Sequence, residues 1–434
     1  MSDRQKYALA EVARFQRGVT WSKEQEVSDP EPGCVPVLRI PNIQEKLETS
    51  DMVFLRGVKK ASIQHCAAVK DWILMVGSNG NPRRVGNCVQ INETNEYLFA
   101  SFLVGIEPIK PQLVAPEFLF RLLRGPEIQR YISDDVQGTT GLCNINIGRL
   151  KTKIIECPGL TVQSRIAEIL STLDETIEQT EALIAKMQQV KAGMMHDLFT
   201  RGVTPDGRLR PTREQAPELY KDSQLGWIPK EWETELLDSL AQRGSGHTPN
   251  KNHPEFWDGG IKWVSLADSW RLDRVHISET DKEISEQGID NSSAVLYPSG
   301  SVVLSRDAGV GKSAVTTCSM AVSQHFICWR CGPQLDNYYL YYWLQDKKRE
   351  FENIATGSTI PTIGLRFFKR YCINVPREIE EQNHIGKSLL SLDQSIFSLE
   401  DDANKLKSIK HGLMHDLLTG SVRVSESTDF VASS

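Results

Sequence analysis

Apolar positions in the stretch 163–199 recur at steps alternating four and three: Ile166, Leu170, Leu173, Ile177, then Thr180, Ile184, Met187, Lys191, Met194 and Leu198. That spacing is the heptad seam of a helix that packs on a partner helix with a left-handed supercoil. A shift of 219 residues carries the seam onto Ile385, Leu389, Leu392, Ile396, Leu399, Ala403, Leu406, Lys410, Leu413 and Leu417. Identities follow the shift too. Met195-His196-Asp197-Leu198 becomes Met414-His415-Asp416-Leu417, and the polar interruption Lys191 becomes Lys410. A shared register over so many positions marks a duplication rather than two unrelated amphipathic helices. Each helix is about 55 Å long at roughly 1.5 Å per residue, and the simplest partner for one apolar seam is the other.

The segments before each helix repeat a second plan. Residues 1–158 read as one α/β globule, with strand-like runs at 35–40, 72–76 and 97–104, a turn at 78–82, and a helix at 117–132 interrupted near Gly125-Pro126. Residues 226–378 answer them. The run 262–266 matches 35–40, 301–305 followed by RDAGVGKS matches 73–76 followed by GSNGNPRRVGN, and 338–351 is the matching helix. Gly138-Thr139-Thr140 leads to a strand ending at Pro158, and Gly357-Ser358-Thr359 leads to one ending at Pro376. The predicted order is a globule (1–158), a long helix (159–200), a linker (201–225), a second globule (226–378), a second long helix (379–420) and a polar tail (421–434). The fold class is α/β with two similar globules, the helices forming an antiparallel coiled coil under a pseudo-two-fold internal repeat. Such a pairing predicts globules at opposite ends, suited to a two-part target.

Composition is that of an ordinary soluble protein, with no apolar run long enough for a membrane span and no signal peptide, so the expected location is the cytoplasm. Nine cysteines without a regular spacing fit a reducing compartment. Cys328 and Cys331 form a lone CxxC, with His325 three residues before; with no second pair, buried thiols are the better reading and no metal site is expected. The net charge of −6 is carried by the two long helices, where acidic residues outnumber basic ones by six to three and by seven to four. The remainder sums to zero, which leaves room for basic patches.

No catalytic constellation emerges. Gly309-Val310-Gly311-Lys312-Ser313 imitates a phosphate loop, but Arg306 stands where that motif needs its first glycine. No cofactor motif is present either. What remains is basic loops: Arg83 and Arg84 after one strand, Arg306 and Lys312 after its counterpart, and the groups Arg149/Lys151 and Arg366/Lys369/Arg370 before the helices. Arginine and lysine on such loops reach phosphates, and arginine reads guanine; a solvated turn is the competing reading. The aromatic stripe Tyr338, Tyr339, Tyr341, Tyr342 and Trp343 reads as core.

Taken together, the duplicated plan, the helix ends KAGMMHDLFTRGV and KHGLMHDLLTGSVRV, the opening LGWIPKEWE of the second globule, and the loops GTTGLCNINIGRLK and GSTIPTIGLRFFKR resemble the specificity subunit of type I restriction–modification enzymes. The first globule departs from the pattern in lacking an IPxxWE opening. The resemblance implies a non-catalytic DNA reader: two target recognition domains, each reading half of a bipartite asymmetric site, with paired helices that set the spacer. It implies double-stranded DNA, two methyltransferase subunits and restriction subunits as partners. It implies no cofactor on this chain, S-adenosylmethionine being carried by the methyltransferase and ATP and magnesium by the restriction subunit. A coiled-coil scaffold that binds only proteins is the alternative.

Overall fold

The computed structural model describes residues 4–94, 97–139, 141–356 and 361–424. Thr140, Gly357-Ser358-Thr359 and the tail from 425 onward lie outside them. The chain divides into two compact units, Met1–Thr180 with Asp402–Ser434, and Glu181–Asp401. Both long helices are continuous, Leu160–Thr200 and Ile379–Thr419, and each gives one half to each unit.

The repeated seam is buried as its spacing requires. In the first unit Ile166 and Leu170 share a core cluster with Met414, Leu417 and Leu418, and in the second Leu198 and Phe199 share one with Ile385 and Leu389. The beginning of one helix meets the end of the other in both units, so the pairing is antiparallel. No seam residue is exposed. The interruption at Lys191 and Lys410 has a partner: Lys191 Nζ lies 2.6 and 2.7 Å from the two carboxylate oxygens of Asp393, and Lys410 Nζ lies 2.6 Å from Asp174. Asp174 and Asp393 are related by the same 219-residue shift, so one ion pair occurs twice with the helices exchanging roles. Its third member differs. Arg121 donates to Asp174, whereas the Tyr342 hydroxyl donates to Asp393 at 2.8 Å. Burial pushes the Asp174 carboxyl up, but Lys410 and Arg121 outweigh it and hold the group below the usual aspartate range. Burial, and then the Asp393 carboxylate, push the Tyr342 phenol up.

A fully buried glutamine roots each long helix. Gln163 accepts from Ala115 N at 2.8 Å and donates to Leu113 O at 2.9 Å and Pro158 O at 2.8 Å. Gln382 accepts from Asp336 N at 3.0 Å and donates to Gln334 O at 3.0 Å and Pro376 O at 2.9 Å. One amide group therefore ties the incoming strand, the preceding loop and the helix start together, with both of its own polar atoms paired.

Within each unit a central strand is apolar on both faces. Ile73 and Met75 enter the cluster under the long helices, while Leu74 and Val76 enter a second cluster. Val302 and Leu304, against Val303, repeat that alternation. The strand order is the same in both units. Ala13–Arg17, Leu103–Pro108, Ile73–Val76 and Cys88–Gln90 correspond to Ala241–Ser245, Phe326–Cys331, Val302–Ser305 and Ser313–Thr316, the second set extended by His276–Ile277. A second sheet completes each unit, through Val35–Leu38 in one and Trp257–Val264 in the other.

Several expected boundaries move. The run 97–104 is two strands, Tyr97–Phe99 and Leu103–Pro108, since the chain turns between them and changes sheets. The helix expected at 338–351 breaks into Asn337–Asp346 and Lys348–Ile354. Residues 201–225, expected as a linker, pack on the second unit: Arg210 is buried, bonds Glu381, and its Nη1 donates to Arg201 O at 3.2 Å. The stripe Tyr339, Tyr341, Tyr342 and Trp343 is core. Cys328 and Cys331, three apart on one strand, join different clusters; burial pushes the Cys331 thiol up to about 12. Among the described residues no His, Cys, Asp and Glu are grouped to hold a metal, and no helix is long and apolar enough to cross a membrane.

Candidate nucleic-acid interface

The basic loops chosen from sequence connect equivalent strands. Gly86 N donates to Val76 O at 2.9 Å and Gly311 N to Ser305 O at 3.0 Å. Both glycines have φ near +90° (95° and 86°), the left-handed conformation that side chains resist. Each loop runs from strand to strand, so 306–312 lacks the helix N-terminus on which a phosphate loop depends. Arg83/Arg84 and Arg306/Lys312 thus share a loop without sharing positions within it.

These loops bear on a second pair of loops, each following a single 3-10 turn. The turns are Ile40–Asn42 and Leu266–Asp268. Each is closed by its last side chain: Arg39 N donates to Asn42 Oδ1 at 2.7 Å, and Ser265 N to Asp268 Oδ2 at 2.9 Å. Counting from the closing residue, Ile43 corresponds to Ser269, Gln44 to Trp270 and Glu45 to Arg271. Arg84 donates to Ile43 O at 2.7 Å and to Ile40 O at 3.3 Å. Lys312 Nζ donates to Ser269 O at 3.2 Å. Two residues picked as phosphate contacts therefore bind the same carbonyl of the same loop, one in each unit.

The other candidates divide in the same way. Arg306 donates to Gln324 O at 3.1 Å and Ile363 O at 3.2 Å, stitching its loop to the chain that precedes the short helix Leu365–Phe368. Arg149 pairs with Asp135 at 2.8 Å and lies 4.5 Å from the centre of the Tyr131 ring. Arg83, Arg366, Lys369 and Arg370 are exposed, Lys151 is half-buried, and none of the five has a side-chain partner among the described residues. The structure thus supplies Arg83 and Lys151 in the first unit and Arg366, Lys369 and Arg370 in the second as unspent charge.

The sequence reading passed over the loop beyond the second 3-10 turn. Trp270 is 69% exposed, the most of any large apolar side chain described, and the Arg271 guanidinium lies 4.3 Å from the centre of its ring. A lone tryptophan in the polar stretch ADSWRLDR was the available signal.

Two frames of the same strand order carrying different exposed side chains suit a two-part reader of sequence. A family model described as the type I restriction modification DNA specificity domain matches residues 1–189 and again residues 229–411. The chain belongs to that family. It is a type I restriction–modification specificity subunit, with two domains for DNA sequence recognition and no enzymatic role of its own. The type I restriction enzyme MjaVIII specificity subunit of Methanocaldococcus jannaschii is 25% identical over 337 residues, covering 75% of this chain and 75% of that protein. The HindI specificity subunit of Haemophilus influenzae is 21% identical over 383 residues, covering 76% of this chain and 82% of that one. In fold, the specificity subunit matches the type I restriction-modification S subunit from M. genitalium with a TM-score of 0.60 over 96% of both chains, at 14% identity.

Proposed function

We propose that each unit of this specificity subunit reads one half of a bipartite, asymmetric site on double-stranded DNA in the cytoplasm, and that the paired long helices set the spacer between the halves. The observation that carries this reading is the pair of equivalent loops, held by Arg84 and Lys312 at the same carbonyl, that display Gln44 and Glu45 in one unit and Trp270 and Arg271 in the other. Equal frames give equal docking on the duplex; unequal side chains give unequal half-sites. The unspent charges Arg83, Lys151, Arg366, Lys369 and Arg370 are suited to phosphates, so affinity falls steeply with salt.

Two methyltransferase subunits dock on the helices, at places related by the internal repeat. Val190 and Ile409, 219 residues apart, are 52% and 51% exposed. Gly193 and Gly412, one turn further on, have no atom within 4 Å of where a Cβ would lie. A glycine inside a helix costs about 1 kcal/mol relative to alanine; repeated twice with no contact inside the chain, it suits close approach by a partner. S-adenosylmethionine belongs to those subunits, and ATP and magnesium to the restriction subunits that join them.

The test is to co-express the chain with the methyltransferase subunit encoded beside it and to map modified adenines across the genome. A single split motif with a constant gap, lost when this chain is omitted, is expected. Co-purification of the methyltransferase without any motif removes the reading function, and failure to co-purify favours a scaffold of another kind.

A further inference from the structure

The loop 269–275 of the second unit is held rigidly at every point except its tip. Lys312 fixes its first carbonyl at 3.2 Å. Leu272 and Val275 are buried in two different clusters. Between them, the Asp273 carboxylate accepts from Ser313 N at 3.1 Å, Gln345 Nε2 at 2.7 Å and Lys348 Nζ at 2.6 Å. Asp273 and Val275 both sit in the left-handed region, at φ 65° and 64°, a conformation that a β-branched valine adopts only where its surroundings impose it. Here the Tyr341 hydroxyl takes the Val275 N–H at 3.2 Å, and Val315 N donates to Val275 O at 2.7 Å. All this fixation serves a tip that contacts little. Trp270 stands in solvent, and Arg271 stacks on its ring 4.3 Å from the centre.

Stacking sets the plane of a guanidinium and leaves its edge free. The Arg271 Nε lies 3.4 Å from Asp268 Oδ1 without a hydrogen bond to it, so the buried Asp268 orients the group, while the terminal nitrogens have no partner among the described residues. A planar, oriented fork whose two terminal nitrogens are free to donate fits the O6 and N7 acceptors of guanine in the major groove. The neighbouring indole backs one face of the fork.

We infer that Arg271 reads a guanine in the half-site of the second unit and that Trp270 is the positioning residue that aims it. The assignment deepens the proposed bipartite reading and rests on it. The first unit has Gln44 and Glu45 at the equivalent points; there Gln44 Nε2 donates to Pro41 O at 2.6 Å and Glu45 pairs with Arg124, so no guanidinium fork is presented.

The test uses the full chain co-expressed with the methyltransferase subunit encoded beside it, comparing genome-wide adenine modification for wild type, Arg271→Ala, Arg271→Lys and Trp270→Ala. With Arg271→Ala, one guanine position of one half-site is expected to become degenerate while the other half-site and the gap stay the same. Modification at the original sites is expected to fall about 10- to 100-fold, the loss of one bidentate contact. Arg271→Lys keeps the charge but not the fork, and is expected to relax the same position. Trp270→Ala relaxes it partly. Melting temperature and co-purification are measured for each variant; the lysine variant carries the decision if the alanine variant does not fold. An unchanged motif with Arg271→Ala overturns the inference, as does wild-type behaviour of Arg271→Lys, which would make the residue a phosphate contact. A wild-type chain that yields no motif overturns the bipartite reading itself, and the assignment with it.

Discussion

Replacing Asp393 with alanine tests whether the repeated ion pair holds the helices in register. Asp393 is 2% exposed and satisfies Lys191 at 2.6 and 2.7 Å and the Tyr342 hydroxyl at 2.8 Å. Without it the Lys191 ammonium, whose side chain is only 22% exposed, remains in the apolar seam with just the face of Tyr342 at 5.5 Å to stabilise it. Removing one member of a buried pair costs about 3–5 kcal/mol; partial access of water to Lys191 puts the expectation near the lower end, at ~3 kcal/mol. Lys191→Met leaves a carboxylate still bonded to Tyr342, so its expected cost is less, ~2 kcal/mol. The double variant Lys191→Met/Asp393→Ala leaves no buried charge, only the Tyr342 hydroxyl without its acceptor, and is expected to cost ~2 kcal/mol rather than the ~5 kcal/mol of the two single changes added, a coupling of ~3 kcal/mol. Urea unfolding of the full chain followed by far-ultraviolet circular dichroism reads these values, provided that the slope is unchanged. Costs that simply add in the double variant would refute the reasoning, as would a loss below about 1 kcal/mol for Asp393→Ala.

Asp174 makes the equivalent pair titrate. Its pKa in the folded chain lies below the ordinary value, so its contribution is complete above about pH 4. It is lost as pH falls through the lowered folded pKa; urea midpoints between pH 6 and 3 are expected to fall more steeply for wild type than for Asp174→Asn. Gly193→Leu with Gly412→Leu meets no atom within 4 Å of the added Cβ and replaces a poor helix former with a good one, so stability is expected to rise by up to about 1 kcal/mol per site. Methyltransferase co-purification is expected to be lost at the same time, and undiminished recovery would remove the docking assignment. Arg84→Ala leaves the carbonyls of Ile40 and Ile43 without their guanidinium, with an expected cost of ~1–3 kcal/mol. Specificity should loosen in the first half-site only; a change confined to salt dependence would instead make Arg84 a phosphate contact.

The sequence by itself determined whatever repeats or alternates. A heptad seam shifted by 219 residues is a statement about which faces must leave water, and no tertiary detail overrides it; the same holds for the two-faced apolar strands at Ile73–Val76 and Val302–Ser305. Even the Lys191/Lys410 interruption was legible as a repeated event, although its partners were not, because Asp174 and Asp393 are ordinary acidic residues until the helices are laid antiparallel. Positions without periodicity were decided elsewhere. Arg84, Arg306 and Lys312 look alike as charges on glycine-containing loops, yet each spends its donors on carbonyls that come within reach only once distant segments have met. The segment 201–225 has the composition of a linker, but Arg210 finds Glu381 across 171 residues and is held there. Trp270 carried no pattern in the chain. Only the anchoring of Ser269, Asp273 and Val275 by the surrounding strands and helices leaves its ring in solvent. Periodic burial is a local property of the chain, whereas the partner of a single polar side chain is a property of the folded whole.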